Sequence, residues 1–207
     1  MKRSVRNISN YTINGTDGPL GYIDDFYFNR RKWIIRYFLI KEFDEGLKEI
    51  GEQQINRILS PPLPIDQIDF QKEEILVPYS RKEIMSSPRV ILSKPLPVKK
   101  ELECFNHFKN LGFWDTKSLT DYPDTVLNQD NYAQFLSQGY NPNLLRCRTL
   151  LDFDVQTIDG ELGSIKDFVI DDTNRRIDYF IVKSKGWIVS RDMLVDPFWI
   201  EEIVISD

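Results

Sequence analysis

The stretch DGPLGYIDDFYFNRRKWIIRYFLI, Asp17 to Ile40, returns as DGELGSIKDFVIDDTNRRIDYFIV, Asp159 to Val182, 142 residues further on and without a gap. Ten of the 24 aligned positions are identical: Asp17, Gly18, Leu20, Gly21, Ile23, Asp25, Phe26, Ile35, Tyr37 and Phe38 match their counterparts. Chance agreement at ordinary composition is roughly one position in seventeen, so one or two matches would be expected. The same offset pairs Arg6 with Arg148, Ile8 with Leu150, Tyr11 with Phe153 and Ile13 with Val155. A structural unit is written twice.

Each copy begins with a tight turn, Asp17-Gly18 or Asp159-Gly160, where glycine is free to take positive φ. A strand follows through Gly21 or Gly163. Ile23 is succeeded by Phe26 and Phe28, so the apolar parity changes along this strand. Strict alternation cannot do that, and a β-bulge is predicted around Asp24-Asp25 and Lys166-Asp167. A polar turn then leads into a run where Ile35, Tyr37 and Leu39 share one face, as do Ile177, Tyr179 and Ile181. Phe38 and Ile40 make the other face apolar too, which predicts a strand covered on both sides.

The copies also end alike. RILSPPLPIDQIDF (Arg57–Phe70) and DMLVDPFWIEEIVI (Asp192–Ile205) each give an apolar strand stopped by proline and followed by another strand. Before this ending the second copy has a Gly-containing hairpin into Trp187, and the first a longer charged stretch. Short, bent, bulged strands predict a small β-barrel in each copy. The expected architecture is mainly β with an α connector: unit 1 over residues 1–77, a helical connector over 78–143 and unit 2 over 144–207.

In the connector, Ser80–Glu83 is a capping-box pattern that starts a short helix ending near Pro88. Val98, Leu102, Phe105 and Phe108 stand at helical spacing, with Gly112 as a stop. A third, shorter helix is expected around Gln129–Ser137. So many aromatics predict a segment packed on one or both barrels rather than a loose linker.

The chain has 207 residues, a formal net charge of −5 and 41% apolar content, an ordinary globular composition with no global attraction for nucleic acid. Cys104 and Cys147 form no CxxC pair, and a reducing cytoplasm is the expected setting. No apolar segment reaches the ~18–20 residues of a membrane helix, so no membrane insertion is expected.

The repeated DG-x-LG-x-I-x-DF followed by I-x-YF is similar to the PRC-barrel family, over roughly 1–77 and 144–207. That family includes the cytoplasmic part of the photosynthetic reaction-centre H subunit and the C-terminal domain of a bacterial ribosome-maturation factor. The resemblance implies two PRC-type β-barrels from an internal duplication and an adaptor or assembly role. It supplies no catalytic set to carry over.

The residues themselves offer little chemistry. His107 is the single histidine, with Cys104 three residues before it as a two-ligand seed, whereas zinc sites use three or four ligands. Asp25 and Asp167 hold equal places in the copies and could form a paired-carboxylate site. A bulge aspartate bonding free backbone N–H groups is the simpler reading. Arg30-Arg31-Lys32 beside Trp33 could touch phosphates, which keeps an RNA- or ribosome-associated module as an alternative. No nucleophile–base pair, phosphate loop or metal motif appears, so no enzyme, catalytic residue or cofactor is expected, and a ligand- or metal-binding enzyme ranks last. The expected role is contact with a protein partner or self-association into a homodimer. Phe105, Phe108, Trp114, Tyr132 and Trp187 are the interface candidates.

Overall fold

The computed structural model describes residues 2–43, 56–62, 68–69, 71–111, 137, 139–171, 173–184 and 191–203. In chain order the elements are β1 (Lys2–Ser4), α1 (Val5–Ile8), β2 (Thr12–Gly15), β3 (Gly18–Asn29), β4 (Ile34–Glu42), β5 (Asn56–Ser60), β6 (Ile68–Asp69) and β7 (Glu74–Leu76). Then come α2 (Arg81–Met85), β8 (Arg89–Ile91), α3 (Val98–Asn110), β9 (Leu144–Arg146) and α4 (Cys147–Leu150). The last are β10 (Asp154–Thr157), β11 (Gly160–Asp171), β12 (Ile177–Ser184), β13 (Asp192–Val195) and a 3-10 turn at Pro197–Trp199.

The fold is mainly β. One sheet has eight strands, ordered β6-β7-β2-β3-β4-β5-β8 with β9 also on β3; the other has five, ordered β1-β11-β12-β13 with β10 also on β11. The long strands β3 and β11 carry the expected bulges, with register shifts between Ile23 and Asp25 and between Ile165 and Asp167. A second matched shift, between Tyr27 and Phe28 and between Val169 and Ile170, has no simple sequence signal. At the tight turns Gly18 and Gly160 adopt φ of 126° and 128°, a region closed to most side chains.

Strands cross between the two sheets. Lys2–Ser4 pairs with Val169–Asp171, in the sheet of the second copy. Leu144–Arg146 pairs with Tyr27–Asn29, in the sheet of the first. Each copy therefore lends its first strand to the other, in matching register. Where the copies meet, Ile35 N–H donates to Arg175 O over 3.0 Å and Ile177 N–H donates to Trp33 O over 2.6 Å, with an antiparallel bridge between Ile34 and Arg176. Phe28, Trp33, Phe168 and Phe180 close the seam: Trp33 stacks on Phe28 at 5.6 Å between ring centroids and meets the Phe180 ring edge-on at 5.3 Å. Such pairs each contribute about 0.5–1.5 kcal/mol beyond their buried area. Core residues from both copies join in one cluster.

The connector differs from the expectation of a purely helical segment, because Arg89–Ile91 enters the first sheet as β8, antiparallel to β5. Pro88 at its start contributes its carbonyl, which accepts from Leu59 N–H over 2.9 Å. The two anticipated helices form. Ser80 N–H donates to Glu83 Oε2 over 2.7 Å and Glu83 N–H donates to Ser80 Oγ over 3.3 Å, a complete capping box on α2. Helix α3 buries Val98, Glu101, Cys104, Phe105 and Phe108. The helix anticipated at 129–137 lies outside the described residues apart from Ser137, and so does the hairpin at 185–190.

Candidate functional site

Two places gather chemistry. One is a cleft of about 270 Å³ on the seam between the copies, lined by Asp24, Asp25, Arg148, Lys166, Asp167 and Cys147 among others. The other is the outward face of the second sheet.

At the cleft, each bulge aspartate serves its own strand and the opposite copy at once. Asp25 Oδ1 accepts from Phe26 N–H over 2.8 Å and from Arg148 N–H over 3.1 Å. Asp167 Oδ1 accepts from Phe168 N–H over 2.8 Å and from Arg6 N–H over 3.1 Å. The second oxygens are also matched: Ser4 Oγ donates to Asp167 Oδ2, and Arg146 Nη1 stands 3.7 Å from Asp25 Oδ2. Burial pushes the Asp25 carboxyl above its ordinary range, against the Phe26 N–H and the Arg146 charge. Asp24, the extra residue of the bulge, bonds Arg57 Nε over 2.8 Å and faces Arg148 Nη1 at 3.3 Å.

These carboxylates are occupied in joining the copies. Cys147 lines the same cleft, but burial drives its thiol well above the usual range, which keeps it a poor nucleophile. The paired-carboxylate idea thus resolves into a structural seam in which backbone donors are satisfied across the two copies.

The other residues singled out in the sequence are dispersed. The His107 ring nitrogen Nε2 lies 2.6 Å from the Glu83 carbonyl oxygen, while the Cys104 thiol donates to Leu59 O over 3.6 Å. They do not converge on a common point. Among the described residues no group of three or more His, Cys, Asp or Glu side chains is placed to hold a metal. Trp33 is buried in the aromatic seam and so is not itself a stacking platform for the Arg30–Lys32 turn. Phe105 and Phe108 are buried in the core cluster, the Phe108 ring meeting Tyr79 edge-on at 5.7 Å. Trp114, Tyr132 and Trp187 lie outside the described residues.

The outward faces of the two sheets differ. In the first, Tyr27, Tyr37, Leu39 and Leu59 lie side by side and are all at most 2% exposed. Helix α3 covers them: Tyr37 Oη donates to Glu101 Oε2 over 3.2 Å, and the Cys104 thiol reaches the Leu59 carbonyl. In the second sheet Val169, Tyr179, Ile181 and Leu194 hold the same places by register. There Leu194 is 59% exposed and the other three are half-buried. Phe198 and Trp199 follow at 63% and 75% exposure, the Phe198 ring lying 5.2 Å from the Arg176 guanidinium. Sequence reading passed over this group. Its signal was a proline-stopped strand followed at once by two aromatics in a stretch, Asp192–Ile203, that has four acidic residues and no basic one.

The family model of the PRC-barrel domain matches residues 142–205. That span starts just before β9 and runs past the 3-10 turn, so it includes the strand lent to the first sheet. The chain matches no curated protein. No helix among the described residues is long and apolar enough to cross a membrane.

Proposed function

We propose that the protein is a tandem of two PRC-type units, arisen by duplication, that acts without catalysis as an adaptor for protein partners in a reducing, cytoplasmic setting. Residues 142–205 carry the PRC-barrel domain. The tandem reading is supported by the matched registers, matched bulges and reciprocal first strands of the two sheets. The reducing setting is supported by two unpaired, buried cysteines.

The observation that carries the adaptor reading is the exposure of Leu194, Phe198 and Trp199 on one edge of the second sheet. Large apolar side chains grouped on a surface mark interaction sites, because leaving them in water forgoes about 25 cal/mol for each Å². A photo-crosslinking residue placed at position 199 in the native cell tests this, with position 72 in the exposed β6–β7 turn as control. A defined protein adduct at 199 and not at 72 is the expected result. Equal or absent adducts at the two positions would remove the adaptor reading.

A further inference from the structure

The two copies share a backbone plan but not a cover. Over the first sheet, Tyr37, Leu39 and Leu59 are sealed by α3, a 13-residue amphipathic helix. Over the second, their register equivalents Tyr179, Ile181 and Leu194 are left open to solvent to differing degrees. Two sheets of the same register, bulged at the same places, offer equivalent faces to a helix. The first copy therefore displays the kind of element its equivalent face accepts.

From this we infer that the outward face of the second sheet, centred on Tyr179, Ile181 and Leu194, is a docking site for an amphipathic helix of a protein partner. The inference rests on the adaptor reading and gives it a place and a binding mode. Burial on such a face rewards a helix with an apolar stripe, such as Val98, Cys104, Phe105 and Phe108 form in α3 beside the buried Glu101.

Charge defines the partner further on one side only. The β13 flank carries both signs, Asp192 standing cross-strand from Lys183 and the Arg176 guanidinium lying 5.2 Å from the Phe198 ring, so it favours no one charge on the helix. On the other side Lys2 Nζ lies 3.2 Å from Tyr179 Oη. Tyr37, the equivalent of Tyr179, donates instead to a helix glutamate. A partner acid in Glu101's place would meet both the Tyr179 hydroxyl and the Lys2 ammonium.

Helix α3 itself is the available probe. A peptide of residues 98–111, amidated and labelled, is titrated into the full-length chain by anisotropy under reducing conditions, with backbone amide shifts followed by NMR. Saturable binding with shifts at Val169, Tyr179, Ile181 and Leu194 is expected. Leu194→Asp should weaken it at least tenfold, while Leu76→Asp, at an exposed site of the first sheet, should leave it unchanged. Leu194 is largely exposed, so the variant should fold, and the NMR spectrum checks this.

Absence of binding, or binding indifferent to Leu194→Asp, overturns the inference. So does light scattering that finds a dimer which Leu194→Asp splits, since the occupant is then a second copy. So does a change at these amides on substituting Trp114 in the absence of peptide, since the chain's own 112–136 stretch is then the occupant. A crosslinked partner at position 199 without peptide binding would leave the adaptor reading standing and remove only the helix.

Discussion

The backbone N–H of Arg148 donates to Oδ1 of Asp25, 123 residues earlier in the chain, over 3.1 Å. Arg6 and Asp167 make the same contact in the opposite sense. A bulge, which would ordinarily leave a ladder donor idle, here becomes the clasp between two copies of a fold.

Replacing that carboxylate should separate its two roles. Asp25→Ala leaves the Phe26 and Arg148 donors without their acceptor and should cost about 1–3 kcal/mol in denaturant melts. Asp25→Asn keeps an acceptor oxygen and should cost less. Burial raises the Asp25 carboxyl above 3.8, so the folded protein holds this proton to higher pH than the unfolded chain does. Its contribution is full below the ordinary aspartate range and is lost as pH rises through the raised native value. Stability should accordingly fall less from about pH 4 upward in Asp25→Asn than in the wild type.

Deleting residues 1–4 should loosen the second sheet rather than the first, because among the described residues β1 pairs with β11 alone. Hydrogen exchange would read this as lost protection over Val169–Asp171 with the amides of β3 and β4 retained. Equal loss in both sheets would speak against the exchanged strand.

Gly21 and Gly163 sit where the long strands cross their neighbours. A Cβ there would fall 2.1 Å from Lys41 O and 2.0 Å from Lys183 O, both backbone atoms that cannot swing away. Gly21→Ala and Gly163→Ala should each cost about 2 kcal/mol or more. Gly18→Ala meets nothing within 4 Å, so its cost should come from its positive φ alone.

Burial pushes the phenols of Tyr27 and Tyr79 up to about 12 and that of Tyr37 well above its ordinary value. The folded chain keeps protons that the unfolded chain gives up near 10, so this stability is complete below that value and is lost as pH climbs toward about 12. Tyrosinate absorbance should show these three ionising only with cooperative unfolding, together with late appearance of the Cys104 and Cys147 thiols to a thiol reagent.

The bulges were legible because Ile23 and Phe26 cannot face the same way on a regular strand, and α2 was legible because Ser80 and Glu83 satisfy each other's backbone. Lys2–Ser4 and Leu144–Arg146 were not. Three residues carry no period, and which edge they join is decided by the tertiary arrangement. Arg89–Ile91 was hidden for the same reason between Pro88 and Pro95. The difference between the two outward faces was hidden too, since β4 and β12 are both apolar on both sides and pattern alone does not say which is covered. The aromatics of α3 drew attention as partner candidates because spacing shows a face, not what lies against it. Leu194, Phe198 and Trp199 escaped because a short strand and a turn offer no alternation to read.

The reciprocal first strands also set an order of assembly during synthesis. Ser4 cannot find Val169 until most of the chain has left the ribosome, on the order of ten seconds or more at ~5–20 residues per second. Until Leu144–Arg146 has emerged in its turn, the edge of β3 at Tyr27–Asn29 lacks the strand that will pair with it. A chain released early would keep that edge bare and invite pairing with its neighbours. Arrival of the second copy's first strand is what makes the first one safe.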